Sequence, residues 1–194
     1  TLRELPIRVT NHLIGNNAMA LRAAEARAES LGYRVLNLSS YQQGDTEATA
    51  GFVAGLVRGV RNEGRPLHAP VCILLGGETT VDLRAQDGRV AGKGGRNQHF
   101  ALAVMAELGW RDLGGVVALS GGTDGEDGPT DAAGGFADQA VLATGQELGL
   151  DLLDHIEGHD AYTYLEACGG LVRTGLTGTN VMDLRVILVG SPPE

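Results

Sequence analysis

Four glycine-broken segments of this sequence gather the side chains that could do chemistry. GKGGRN (92–97) sets Lys93 and Arg96 beside Gly94, Gly95 and Asn97. A loop of this kind opening a helix offers backbone N–H groups and positive charge to an anion. Planar Arg96 can grip two oxygens at once, whereas Lys93 acts as a point charge. The plainer alternative is a solvated basic loop. In 123–131, Asp124, Glu126, Asp127 and Asp131 crowd between glycines and Pro129. Their repulsion is relieved by a hard cation such as magnesium, bound through one or two carboxylates. The alternative is that Asp127 or Thr130 caps the following helix while the others face water. GGETT (76–80) supplies Gly76, Gly77 and Glu78 after an apolar run, and TGLTGTN (174–180) supplies hydroxyls, Thr179 and Asn180, with Asp183 nearby. The last loop can hydrogen-bond a ligand or satisfy its own backbone.

Familiar fingerprints are absent. There is no G-x-x-x-x-G-K-[ST], and GKGGRN has Asn97 where G-x-G-x-x-G needs its last glycine. HIEGH (155–159) lacks the HExxH order of zinc proteases, and Ser120 in ALSGG stands outside G-x-S-x-G.

The elements that must carry these loops follow from periodicity. RVTNHLI (8–14) is expected as a strand, followed by a helix to about Leu31 that Gly32 closes and by a strand over 33–38, together one βαβ unit. Phe52, Val53, Leu56, Val57 and Val60 predict a helix over 46–62, broken by Gly64, Pro66 and Pro70. A domain boundary is placed there, dividing 1–69 from 70–194. VCILL (71–75) and GVVAL (115–119) are buried-strand runs that end in glycine loops. Thr79–Leu83 alternates like a strand, and Asp87-Gly88 has hairpin-turn chemistry. Helices are expected over 97–108, around 136–148, and over 151–168 with a break at Gly158, and a final strand over 184–189. The fold class is therefore α/β, a layered sheet with helices on both faces.

Composition narrows the function. With 15 Lys and Arg against 24 Asp and Glu, the net charge is −9, which argues against nucleic acid or an anionic membrane as partner. Residues are 43% hydrophobic and 20% charged, enough for a packed α/β core. Thirty glycines serve turns and ligand loops rather than a collagen period. No apolar stretch nears the roughly 20 residues of a membrane span. The chain reads as soluble and cytoplasmic, with Cys72 and Cys168 as buried thiols rather than a disulfide. It starts with Thr rather than Met, which suggests a piece of a longer product.

The runs GGETTV, GKGGRNQ, GTDGEDGPTDAAG, DAYTYL and TGLTGTNVMDLRVILV, in this order, closely resemble the MOFRL domain of the glycerate 2-kinase family, some of whose members are labelled hydroxypyruvate reductases. The resemblance covers about residues 70–190, and 8–60 is similar to the end of that family's Rossmann-like first domain. It implies ATP- and magnesium-dependent phosphorylation of D-glycerate to 2-phosphoglycerate, in a cleft between two domains of a protein about twice this long. On that basis Arg96 steadies the transferring phosphoryl group with Lys93 as helper. Asp124, Asp127 and Asp131 organise the metal. Gly76, Gly77, Glu78, Gly94, Gly95, Asn97, Thr130, Thr179 and Asn180 contact substrate or phosphate. A lysine of the family lies outside this chain, which alone is incomplete. Nicotinamide-dependent reduction of hydroxypyruvate, and a ligand-binding half without activity, are the alternatives; copy number is open, a homo-oligomer included. The sequence departs from the family's pattern at His99, where glutamate is common, and at Met182 and His159, where asparagine is usual.

Overall fold

The computed structural model describes residues 9–83 and 91–190. Helix α1 spans Asn17–Ser30, with the Asn16 side chain accepting from Met19 N as its N-cap. It leads to strand β1 (Arg34–Gln42), helix α2 (Thr46–Glu63) and strand β2 (Val71–Gly77). Asp45 caps α2, and Gly64 ends it at a φ of 64° that a β-carbon disfavours. Helix α3 (Arg96–Asp112) follows, then strands β3 (Val116–Gly122) and β4 (Gly134–Ala137) and helices α4 (Gln139–Glu147), α5 (Leu152–Glu157) and α6 (Ala161–Cys168). Strands β5 (Leu171–Val172) and β6 (Asp183–Val189) complete the order.

Among the described residues the strands form one six-stranded sheet in the order β1-β2-β6-β3-β4-β5. Only β1 and β2 run parallel; β6 enters antiparallel between β2 and β3. β1 and α2 therefore share one sheet and one core with the elements after residue 70. Helices cover both faces, as the alternation of apolar runs predicts. On one face Leu21 and Ala28 of α1 pack on Cys72 and Leu74, with Leu184, Val186 and Leu188 alongside. On the other, Val53, Val57 and Val60 of α2 and Phe100, Leu102 and Met105 of α3 pack on Ile73, Leu75, Ala118 and Ile187. Helix α3 is the pivot, buried from Asn97 through Met105.

Three expectations change. Residues 9–16 form no strand, and Leu13 and Ile14 stay 76% and 92% exposed, so the first βαβ unit is missing its first strand. Apolar alternation makes a strand only where a sheet edge accepts it. Thr79–Leu83 is irregular, with an isolated bridge between Thr80 and Asp45 that lies outside the sheet's strands. The helix expected from Phe136 starts after Asp138, because Phe136 and Ala137 pair with Leu119 and Ala118 in β4. The Asp87-Gly88 turn lies outside the described residues. Among the described residues no helix is long and apolar enough to cross a membrane.

Candidate active site

The site forms where three strands come into register. Gly77 at the end of β2 and Gly122 at the end of β3 both pair with Asp183, the first residue of β6. Asp183 therefore sits at the carboxyl ends of its neighbours, facing the start of α3, in the position where open α/β sheets bind ligands. Asn17 of α1 holds this junction by donating to the carbonyls of Val181 and Asp183, both at 2.8 Å. Its side chain fills the space beside Gly76, where a β-carbon would collide with the amide. Gly77, at φ 126°, lies against the backbone of Gln42. These two glycines thus admit the protein's own groups.

Arg96 opens α3. Its Nε and Nη2 donate to the two oxygens of Asp183 at 2.7 and 2.9 Å, and Nη1 lies 3.1 Å from Glu78 Oε1. Asp183 is fully buried, the Arg96 side chain is 33% exposed and that of Glu78 50%. The hydrogen bond to Asp183 holds the Arg96 guanidinium above its ordinary range. Below them Arg185, fully buried, donates through Nη2 to Thr79 Oγ1 at 2.7 Å and lies 3.5 Å from Asp183 Oδ2. Its guanidinium stands over the Phe100 ring, 5.0 Å from the centroid, and burial pulls it below its ordinary range.

The acidic loop, expected either to bind a cation through one or two carboxylates or to cap the following helix, divides its acids among separate partners. Asp127 is buried against the start of α3, accepting from Asn97 N at 3.1 Å and Gln98 N at 2.9 Å. It caps a helix 30 residues earlier in the chain, whereas the following helix is capped by Asp138. The amides expected to greet an anion are thus already met by a protein carboxylate. Burial pushes the Asp127 carboxyl up from its ordinary range, against the pull of the Gln98 and Asn97 donors. Asn97 ties the parts together: its Nδ2 lies 3.2 Å from Asp127 and 3.1 Å from Asp183, and its Oδ1 accepts from Ser120 at 2.5 Å. Thr130 accepts from Gln98 Nε2 at 2.9 Å, latching the loop to α3. Gly95 leaves room for this latch, since a β-carbon there would strike Asp127.

Asp131 points elsewhere, accepting from Tyr162 at 2.7 Å and Arg173 at 3.0 Å, which hold its carboxyl below the ordinary range. Asp124 accepts from Asn180 Nδ2 at 2.8 Å, and its carbonyl from Thr177 N at 3.0 Å. Asn180 and Thr179 lie on an exposed loop zipped to Thr123. The three acids thus stand in three settings, and among the described residues no group of three acidic, His or Cys side chains could hold a metal ion. A magnesium ion held by all three does not fit this arrangement.

Lys93 also turns from its expected place. Its Nζ stands 3.6 Å over the Tyr162 ring, and the cavity beside Arg96 is lined by its neighbours Gly92, Gly94 and Gly95 instead. That cavity, about 400 Å³, is bounded further by Glu78, Thr79, His99, Pro129 and His159. Arg96 Nη1, on a side chain one third exposed and paired with the half-exposed Glu78, can exchange that carboxylate for an anion. Its other nitrogens are locked by Asp183, so the charge is aimed.

Asp183, Arg185, Asn17 and His99 also stand at this junction and cavity, and the motifs did not assign them to the site. The signal for two of them is present in β6, where Asp183 and Arg185 share strand parity with Ile187 and Val189, all four buried. Charged residues on the core parity of a strand need a partner.

The family model for the MOFRL family matches residues 71–183, more than half of the chain, a span that includes Glu78, Arg96, Asn97, Asp127 and Asp183. This chain belongs to the MOFRL family. Over 93% of its length it is 37% identical to glycerate kinase of Rattus norvegicus, of which it covers 41%. It is 36% identical to D-glycerate 2-kinase of Thermotoga maritima, with 97% of this chain and 44% of that protein covered. The crystal structure of glycerate kinase from Thermotoga maritima superimposes with a TM-score of 0.86 at 35% identity, over 96% of this chain and 44% of the other. The MOFRL chain thus spans about two fifths of the length of these relatives.

Proposed function

We propose that the protein containing this chain transfers the γ-phosphoryl group of ATP to the 2-hydroxyl of D-glycerate, and that this chain supplies one wall of the catalytic cleft. The observation that carries the reading is Arg96: a guanidinium clamped by a buried carboxylate, with one edge turned to a cavity. Phosphoryl transfer asks a protein to position groups and neutralise charge developing on non-bridging oxygens, and an aimed guanidinium does both. Names of relatives support the substrate, and the glycine loops at the ends of β2 and β3 support a cleft there.

In the resting arrangement Glu78 neutralises Arg96 Nη1. A phosphoryl oxygen displaces it, receiving one hydrogen bond from a donor already oriented, so little reorganisation is spent at the moment of transfer. Magnesium belongs to this proposal as the counter-ion of the nucleotide phosphates; the loop acids as placed do not form its cage. Cytoplasmic location is part of the same reading.

Phosphorus NMR of the protein at the full length of its relatives, incubated with D-glycerate, ATP and magnesium, tests the proposal. Accumulation of 2-phosphoglycerate is the expected result. Folded protein that forms no phosphorylated acid would refute it.

A further inference from the structure

We infer that His99 is the general base that takes the proton of the acceptor hydroxyl, oriented for that task by Glu47; the inference rests on the phosphoryl-transfer reading above. Arg96 and His99 are three residues apart in the first turn of α3, a spacing that puts both side chains on one face. Both line the same cavity. The His99 side chain is only 3% exposed, and its Nε2 lies 2.9 Å from Glu47 Oε1, on the first turn of α2. An ionised carboxylate only accepts, so this bond assigns the ring proton to Nε2 and leaves a lone pair on Nδ1. Nδ1 has no hydrogen-bond partner among the described residues. A base whose second nitrogen is fixed by a carboxylate is the arrangement that proton abstraction requires.

The surroundings are charged but uneven. Glu47 from α2 faces Nε2, Arg96 from α3 lines the same cavity, and Glu78, just past β2, pairs with Arg96. From the turn between α5 and α6, His159 stacks at 5.6 Å between ring centroids with a tilt of 40°. It holds a φ of 51°, strained for a residue with a β-carbon.

In the step proposed, the acceptor O–H bond breaks as its oxygen bonds to the γ-phosphorus. The bond from that phosphorus to the β–γ bridging oxygen breaks, and its electron pair leaves on ADP. His99 Nδ1 takes the hydroxyl proton, and Glu47 stabilises the imidazolium. Arg96 meets the phosphoryl oxygens from the same helical turn.

His99→Gln in the full-length protein is expected to lower kcat by about 10²–10⁴-fold and to abolish the acid-side limb of kcat/KM against pH, with KM for ATP little changed. Glu47→Gln is expected to cause a smaller loss and keep the limb. A second readout needs no activity: long-range proton–nitrogen NMR of the imidazoles in this chain should find the His99 proton on Nε2, and the preference should vanish in Glu47→Gln. A His99 protonated on Nδ1, or a His99→Gln enzyme with the wild-type limb and kcat, overturns the inference. Wild-type protein that makes no phosphorylated acid overturns the kinase reading and this role together; an active wild type with an indifferent His99→Gln defeats the role alone.

Discussion

Asp183 holds Arg96 across 87 residues of chain, accepting from Nε at 2.7 Å and Nη2 at 2.9 Å, while Arg185 stands 3.5 Å behind the same carboxylate with no exposure to water. One buried anion therefore serves two guanidiniums. Asp183→Asn removes the charge that compensates buried Arg185 and should cost about 3–5 kcal/mol of stability. Urea unfolding of the variant beside wild type measures it; an unshifted midpoint would show that Asp183 is dispensable for this balance.

Arg96 is expected to matter for turnover more than for folding, since a third of its side chain is exposed and Asp183 keeps Asn97 and Arg185 when it is removed. Arg96→Ala in the full-length protein should lower kcat by about 10²–10³-fold. Arg96→Lys should not restore it, because an ammonium cannot fill both the Asp183 grip and the cavity edge. Steady-state kinetics of the two variants, with thermal unfolding as control, decides the point.

Stability should fall on the alkaline side. Burial pushes the Cys72 thiol from 9.0 up to about 11 and the Tyr164 phenol from 10.0 up to about 12. Between the lower and the higher value the folded chain holds a proton that the unfolded chain has released, so stability declines as pH rises. For Cys72 the contribution is complete below pH 9 and lost through about pH 11. Cys72→Ala should flatten the early part of this decline in denaturation curves collected from pH 8 to 11. An unchanged slope would count against the thiol as its source.

Met182 adopts a φ of 70° just before Asp183. A side chain with a β-carbon in the left-handed region costs about 1–2 kcal/mol, and asparagine tolerates it best after glycine. Met182 is 37% exposed and contributes little to the core. Met182→Asn should therefore raise stability by about 1 kcal/mol, read as a higher melting temperature. A lower one would mean that the methionine's contacts outweigh the backbone strain. Met182 and His159 are the two non-glycine residues with positive φ among those described.

Much of the architecture was legible because it is local. VCILL is a strand buried on both faces, GVVAL lies in a strand that buries Val116 and Ala118 and leaves Val117 exposed, and Val53, Val57 and Val60 form the buried stripe of a helix. The glycine loop before Arg96 was legible as the turn that opens a helix, and α3 starts there. The expected strand over 8–14 failed because nothing in its own residues reveals whether a sheet edge is free to receive it.

What the sequence by itself determined is therefore most of the helices and the longer strands, the α/β class with two covered faces, and the family marked by its glycine motifs, all carried by interactions between near neighbours. Only the tertiary structure decided the partners. It turned Asp127 from a metal ligand into the cap of a helix 30 residues away, sent Asp131 to Tyr162 and Arg173, laid Lys93 on Tyr162, and brought Asp183 under Arg96. Charged side chains at a buried junction must find counter-charges or donors there, and which ones they find depends on the register of β6 between β2 and β3. That register joins residues far apart in the chain, and no local spacing encodes it.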